Sequence, residues 1–172
     1  METVSFTDMK SGSREDYLLL DRLEQAHVAT LPGRILEALQ RLQGGLAGYR
    51  IDRLEHSLQT ATRAELDGAD SQWIVAALVH DIGDDLAPMN HSEFAAALLK
   101  PYVRDEVHWV IAHHGLFQMA YYAHHLGKTR THGSDTKTTP ITTVACDFAS
   151  SGIKPPSIPT FPHNLYRTLN PC

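Results

Sequence analysis

From Asp16 to His125 the apolar residues recur every three or four positions. Nowhere before residue 128 does a run alternate with the period of two that a strand needs. A chain patterned this way must bury helical stripes against one another, so the expected fold is all-α, a helical bundle. Tyr17, Leu18, Leu20, Leu23 and Ala26 mark a first helix, from Asp16 to about Val28. Leu31-Pro32 starts a second, with Pro32 in its first turn, Ile35, Leu36, Leu39 and Leu42 on its stripe, and Gly44-Gly45 at its end. A third carries Leu54, Leu58, Ala61 and Ala64 and closes near Gly68. Ser71 is the expected cap of a fourth, over residues 72–80, which is apolar nearly all round and therefore central. Asn90 is expected to cap a helix running through Leu99 and stopped ahead of Pro101. A final pair of helices should run from about residue 104 to 114 and on to 125.

The chain therefore divides, on this reading, into an N-terminal arm (1–15), a helical domain (16–128) and a divergent Pro/Thr-rich tail (129–172). The tail holds six of the nine prolines but only two of the twenty acids, Asp135 and Asp147, and has no sustained period. It is expected to be irregular, of the kind that stays disordered. With 172 residues, 42% of them hydrophobic, the chain is long enough for one real core. A formal charge of -5 provides no basic field for a nucleic acid backbone. No apolar run approaches the roughly 18 residues of a membrane span, and the polar N-terminus lacks a signal-peptide core. Two cysteines, Cys146 and Cys172, form no disulfide framework and fit a reducing compartment, so a cytoplasmic location is expected. A small-molecule substrate is the partner that remains; the oligomeric state is left open.

Eleven histidines are the unusual number. Taken singly, His27, His108, His124, His125, His132 and His163 read as solvated or core side chains. His56, in the middle of the third helix, has Gln59 on the same face. His80-Asp81 follows in V-H-D-I-G at the end of the apolar helix, His91 opens the next, and His113-His114 lies in a further helix ahead of Gly115. Neutral imidazoles and a carboxylate suit Fe, Mn, Zn or Ni. A carboxylate beside a histidine at a helix end can bridge two cations about 3.5–4 Å apart. Asp84 and Asp85 read as helix-start or surface acids, and Glu55 as a surface group or a support for the site.

At these residues the chain resembles the HD superfamily, whose signature is a His, then His-Asp, then a distal Asp; the extra histidines match its two-metal branch. Leu54 to Ala61 (L-E-H-S-L-Q-T-A) is similar to the mixed-valent di-iron HD oxygenases, the phosphonate-cleaving oxygenase and inositol oxygenase among them. The resemblance covers about residues 45–128, and residues 1–128 resemble a bacterial and fungal HD-domain family. It implies His56, His80, Asp81, His91 and His114 as metal ligands, with Asp81 bridging two irons and O2 as co-substrate. It further implies Asp81, Gln59 and His113 as catalytic groups and Tyr49 and Gln118 as substrate-binding ones. Leu46 and Tyr49 stand where the phosphonate oxygenase has Tyr and Glu, and Gln118 where it has its phosphonate-binding Lys, which argues against a phosphonate substrate.

The family's distal Asp sits in a Cys-Glu-x-Trp-Asp-Gln segment that this chain lacks. Back-translating residues 146–155 with chosen synonymous codons, and reading from the third base, permits R-L-C-E-Q-W-D-Q-A. The same shift permits family-like sequence from Lys128 onward. The expectation is that residues after Lys128 are a frameshifted version of the family's C-terminal helices, leaving the product short of that carboxylate and its activity impaired. No spacing argument makes Asp147 a substitute. The functional reading is an HD-domain metalloprotein, a di-iron, O2-dependent oxygenase of a small polar metabolite. The alternatives are a metal-dependent phosphohydrolase and a catalytically inactive helical module. Thin basic character near the ligands (Arg53, Arg63, Lys100, Arg104) argues against the phosphohydrolase.

Overall fold

The computed structural model describes residues 2–45 and 47–128; the tail, its proposed frameshifted origin and Asp147 lie outside the described residues. Within them the fold is all-α: six α-helices and three short 3-10 turns, with no strand. Two compact units divide at Gln40/Arg41.

The first unit holds α1 (Arg14–Val28) and most of α2 (Leu31–Arg41). Ser13 caps α1 by a reciprocal box: its hydroxyl accepts from the Asp16 amide while the Asp16 carboxylate accepts from the Ser13 amide. Asp16 also takes the amide and hydroxyl of Ser5, so the segment before the helix is tied to its first turn. These bonds hold the Asp16 carboxyl well below its ordinary pKa. Tyr17, Leu18 and Leu23, expected on a buried stripe, all stay exposed.

The second unit carries α3 (Arg53–Leu66), α4 (Ser71–Val79), α5 (His91–Leu99) and α6 (Asp105–Tyr122). Two close pairings organise it, α3 with α4 and α5 with α6, and α4 also touches α6. Small buried side chains, Ala61 and Ala64 on α3 and Ala76 and Ala77 on α4, permit a close approach of the first pair. In the second pair Ala95, Ala96 and Leu99 of α5 are buried along with Val107, Val110 and Ile111 of α6.

Two expected boundaries are corrected. The cap of α4 is Asp70 rather than Ser71: its carboxylate accepts from the Gln72 and Trp73 amides and also pairs with Arg104 at 2.7 Å. The expected final pair is one 18-residue helix, because Gly115 continues α6 instead of breaking it. Asn90 stands at the N-cap of α5 but makes no side-chain cap bond. Among the described residues no helix is long and apolar enough to cross a membrane.

Asp70→Ala should lower unfolding stability by about 1–2 kcal/mol through the lost cap. Ser71→Ala should stay within about 0.5 kcal/mol of the parent. Urea titration followed by circular dichroism checks both; equal losses at the two positions would move the cap back to Ser71.

Candidate metal centre

Four elements deliver five side chains to one point. His56 is four residues into α3, a helix capped by the Asp52 carboxylate on the Glu55 amide. His80 ends α4, and Asp81 follows it into a tight turn closed by Ile82 N–H to Val79 O and Asp84 N–H to Asp81 O. His91 is the first residue of α5, and His114 sits in the middle of α6. His80, Asp81 and His114 are buried, and His56 and His91 half-buried.

The Asp81 carboxylate divides the cluster in two. Its Oδ2 lies 3.2 Å from His80 Nε2 and 3.6 Å from His56 Nε2. Its Oδ1 lies 3.3 Å from His114 Nε2 and 3.7 Å from His91 Nε2. Within each half the two imidazole nitrogens are 3.2 Å apart. The rings run His56–His80–His114–His91, each centroid 5.1 Å from the next and set edge to face. Each half thus gathers two imidazole nitrogens and a carboxylate oxygen within 4.8 Å of one another.

The outer ring nitrogens fix which atom faces inward. His80 Nδ1–H donates to the Ala77 carbonyl at 2.8 Å, and His114 Nδ1–H to that of Ile111 at 2.7 Å. His91 Nδ1 faces Asp84 Oδ1 at 3.4 Å. With Nδ1 carrying the proton, a neutral ring turns a bare Nε2 lone pair toward the centre.

The protonation equilibria follow from burial and from the carboxylate. Burial works against ionising Asp81, but His80 and His114 beside it outweigh that and hold its carboxyl well below the usual range. Burial and the neighbouring His80 push the His56 pKa down, and burial pushes His114 down. Burial opposes the charge on His80 as well, yet contact with Asp81 raises it overall.

Two participants were not anticipated. Arg53, at the start of α3, donates from a terminal nitrogen to Asp81 Oδ2 at 3.2 Å, while its Nε lies 2.7 Å from Asp84 Oδ2. Asp84 is therefore no surface acid. It joins Arg53 to His91, and burial together with the nearby Asp81 raises its pKa. The signal available in the chain was spacing: Arg53 precedes His56 by three residues, one helical turn of α3, and Asp84 follows Asp81 by three across the tight turn after α4.

Close approach of α5 depends on two glycines. A β-carbon on Gly83 would stand 2.9 Å from both the Cα and the carbonyl oxygen of His91, backbone atoms that cannot step aside. One on Gly115 would meet the Ser92 hydroxyl at 2.9 Å, which can rotate away. Gly83 in H-D-I-G is thus what lets the start of α5 lie against the turn that presents His80 and Asp81.

The remaining predicted site residues are not part of this cluster. Gln59, a turn beyond His56, donates to Glu55 at 3.1 Å. His113 stacks on Trp109, centroids 4.3 Å apart, with Nδ1–H on the Trp109 carbonyl at 2.7 Å. Tyr49 is largely exposed, its ring 4.7 Å from the Arg53 guanidinium. Gln118 is half-buried on α6, one turn beyond His114.

A model of the HD domain matches residues 53–149, more than half of the chain. The chain belongs to the HD-domain family. No curated protein matches it. HD domains bind divalent metals and belong to a superfamily of metal-dependent phosphohydrolase type. The donor chemistry fits such a cation: metal–ligand bonds of about 2.0–2.2 Å at near-tetrahedral angles place donor atoms about 3.3–3.6 Å apart, close to the 3.2–3.7 Å spacings within each half of the HD-domain cluster.

Gly83→Ala should destabilise the HD domain by about 1–3 kcal/mol, as overpacking against fixed backbone does, and Gly115→Ala by clearly less. Thermal melts of the two variants check the order; a harmless Gly83→Ala would show that α5 is not held this closely.

Proposed function

We propose that the cluster is a two-metal centre in which Asp81 bridges, His56 and His80 hold one cation, and His91 and His114 hold the other. The observation carrying this is the division of one buried carboxylate, an oxygen turned toward each pair of imidazoles. All-nitrogen and oxygen donors suit iron, with Mn, Zn and Ni as alternatives. The activity proposed is O2-dependent oxidation of a small polar metabolite by a di-iron pair, supported by the likeness of Leu54 to Ala61 to the di-iron oxygenases.

When bound, such a pair supplies Lewis acidity and, as iron, electrons for O2. The chain's own residues do the rest. The Ala77 and Ile111 carbonyls orient His80 and His114, and Asp84 orients His91. Gln59, His113, Tyr49 and Gln118 are assigned to the substrate side; His113, with Nδ1–H committed to Trp109, offers Nε2 for proton transfer. The tail is read as a frameshifted version of the family's last helices, which would leave the centre one carboxylate short; the HD-domain match, which runs on to residue 149, weighs against an origin at Lys128. An open reading frame for those helices in the encoding DNA is expected; its absence overturns that part.

One observation favours the second reading, a metal-dependent phosphohydrolase. The Arg53 guanidinium, 3.2 Å from Asp81, places a fixed cation beside the cluster where a phosphoryl oxygen could bind.

Anaerobic reconstitution with iron should yield an electron paramagnetic resonance signal of a mixed-valent pair, and O2 uptake with a suitable polar metabolite. Phosphate release with Mn or Ni, indifferent to O2, would replace the oxygenase with the hydrolase. Iron below one equivalent per chain would leave an inactive helical module.

A further inference from the structure

The two halves of the cluster share a carboxylate but not the same surroundings. On the His56/His80 side, Asp81 Oδ2 already accepts a hydrogen bond from Arg53 at 3.2 Å. A lone pair committed to a guanidinium is a poorer donor to a metal, and the fixed positive charge repels an arriving cation. On the other side, Asp81 Oδ1 faces His114 and His91 at 3.3 and 3.7 Å. There the influence of Arg53 is reversed. Its Nε, 2.7 Å from Asp84, helps hold the carboxylate whose other oxygen stands 3.4 Å from His91 Nδ1. A carboxylate on the outer nitrogen orients an imidazole and makes it a better metal donor. One guanidinium therefore weakens the first half and supports the second.

We propose, resting on the two-metal reading above, that the half-sites load unequally. The His91/His114 half takes the first cation tightly, the His56/His80 half takes the second weakly, and Arg53 sets the difference. Seating the second cation requires Arg53 to leave Asp81 Oδ2. The side chain has somewhere to remain: it keeps Asp84 and the face of Tyr49, whose ring is 4.7 Å away. The chain is thus built to rest with one metal and to complete its pair when Arg53 is drawn aside.

Titration of the metal-free full chain with Mn2+ alone, followed calorimetrically, tests this. Two events are expected, with dissociation constants separated by about tenfold or more, the scale of a charge-assisted hydrogen bond. His56→Ala should keep the tight event and lose the weak one, and His91→Ala the reverse. Adding Arg53→Gln to His91→Ala should tighten the remaining event about tenfold; adding it to His56→Ala should not tighten the other. Circular dichroism checks folding, and if Arg53→Gln loses its helices, Arg53→Lys, which cannot hold both carboxylates at once, should show the same direction with a smaller change. Two equal events, loss of the tight event in His56→Ala, or no tightening by either Arg53 variant overturns this inference and leaves the two-metal centre standing. A parent chain that takes up no Mn2+ overturns the centre itself.

Discussion

A single buried carboxylate is the constraint around which the second unit is arranged. Asp81 is almost fully removed from water, and an isolated carboxylate in that position would cost far more than a small domain's net stability. It is tolerated because Arg53 sets a full positive charge against one oxygen, and because contact with Asp81 favours the protonated, donating form of His80. The groups around it come from α3, α4, α5 and α6, so this one residue is where four helices meet. The packing follows suit: alanines let α3 meet α4, and Gly83 lets the start of α5 meet the turn after α4.

Much of this was readable from residue order. Helical period gave an all-α fold, and the resemblance to the HD signature marked residues 56, 80, 91 and 114, which the structure gathers around Asp81. What stayed hidden depends on direction rather than type. A charged residue at the start of a helix or in a turn reads as solvated, so the three-residue spacings of Arg53 from His56 and of Asp84 from Asp81 gain meaning only once the fold aims both side chains inward. The expected division near residue 114 is absent, and Gly115 serves close approach within a continuous helix. Asp70 and Ser71 are both good caps, and only the backbone conformation at Asp70 chose between them. The expected stripe of α1 failed for another reason: period shows which side chains share a face, not whether anything covers it.

The same geometry frames the chemistry. Arg53 connects the exposed Tyr49 ring to the carboxylate at the centre. An oxygenase needs a pair of redox-active cations with different tasks, and a hydrolase needs a cation near a phosphoryl oxygen. A guanidinium that distinguishes the two halves serves either demand. The HD-domain assignment establishes the metal-dependent class; the finer choice depends on which cations the histidines retain and how O2 affects the reaction.

The most direct measurement is crystallographic: anomalous difference density from crystals grown with Mn2+ or Fe2+. Two peaks about 3.5–4 Å apart, one beside each oxygen of Asp81, are the expected result. A lone peak held by all the histidines together, or density remote from Asp81, would contradict a carboxylate that bridges.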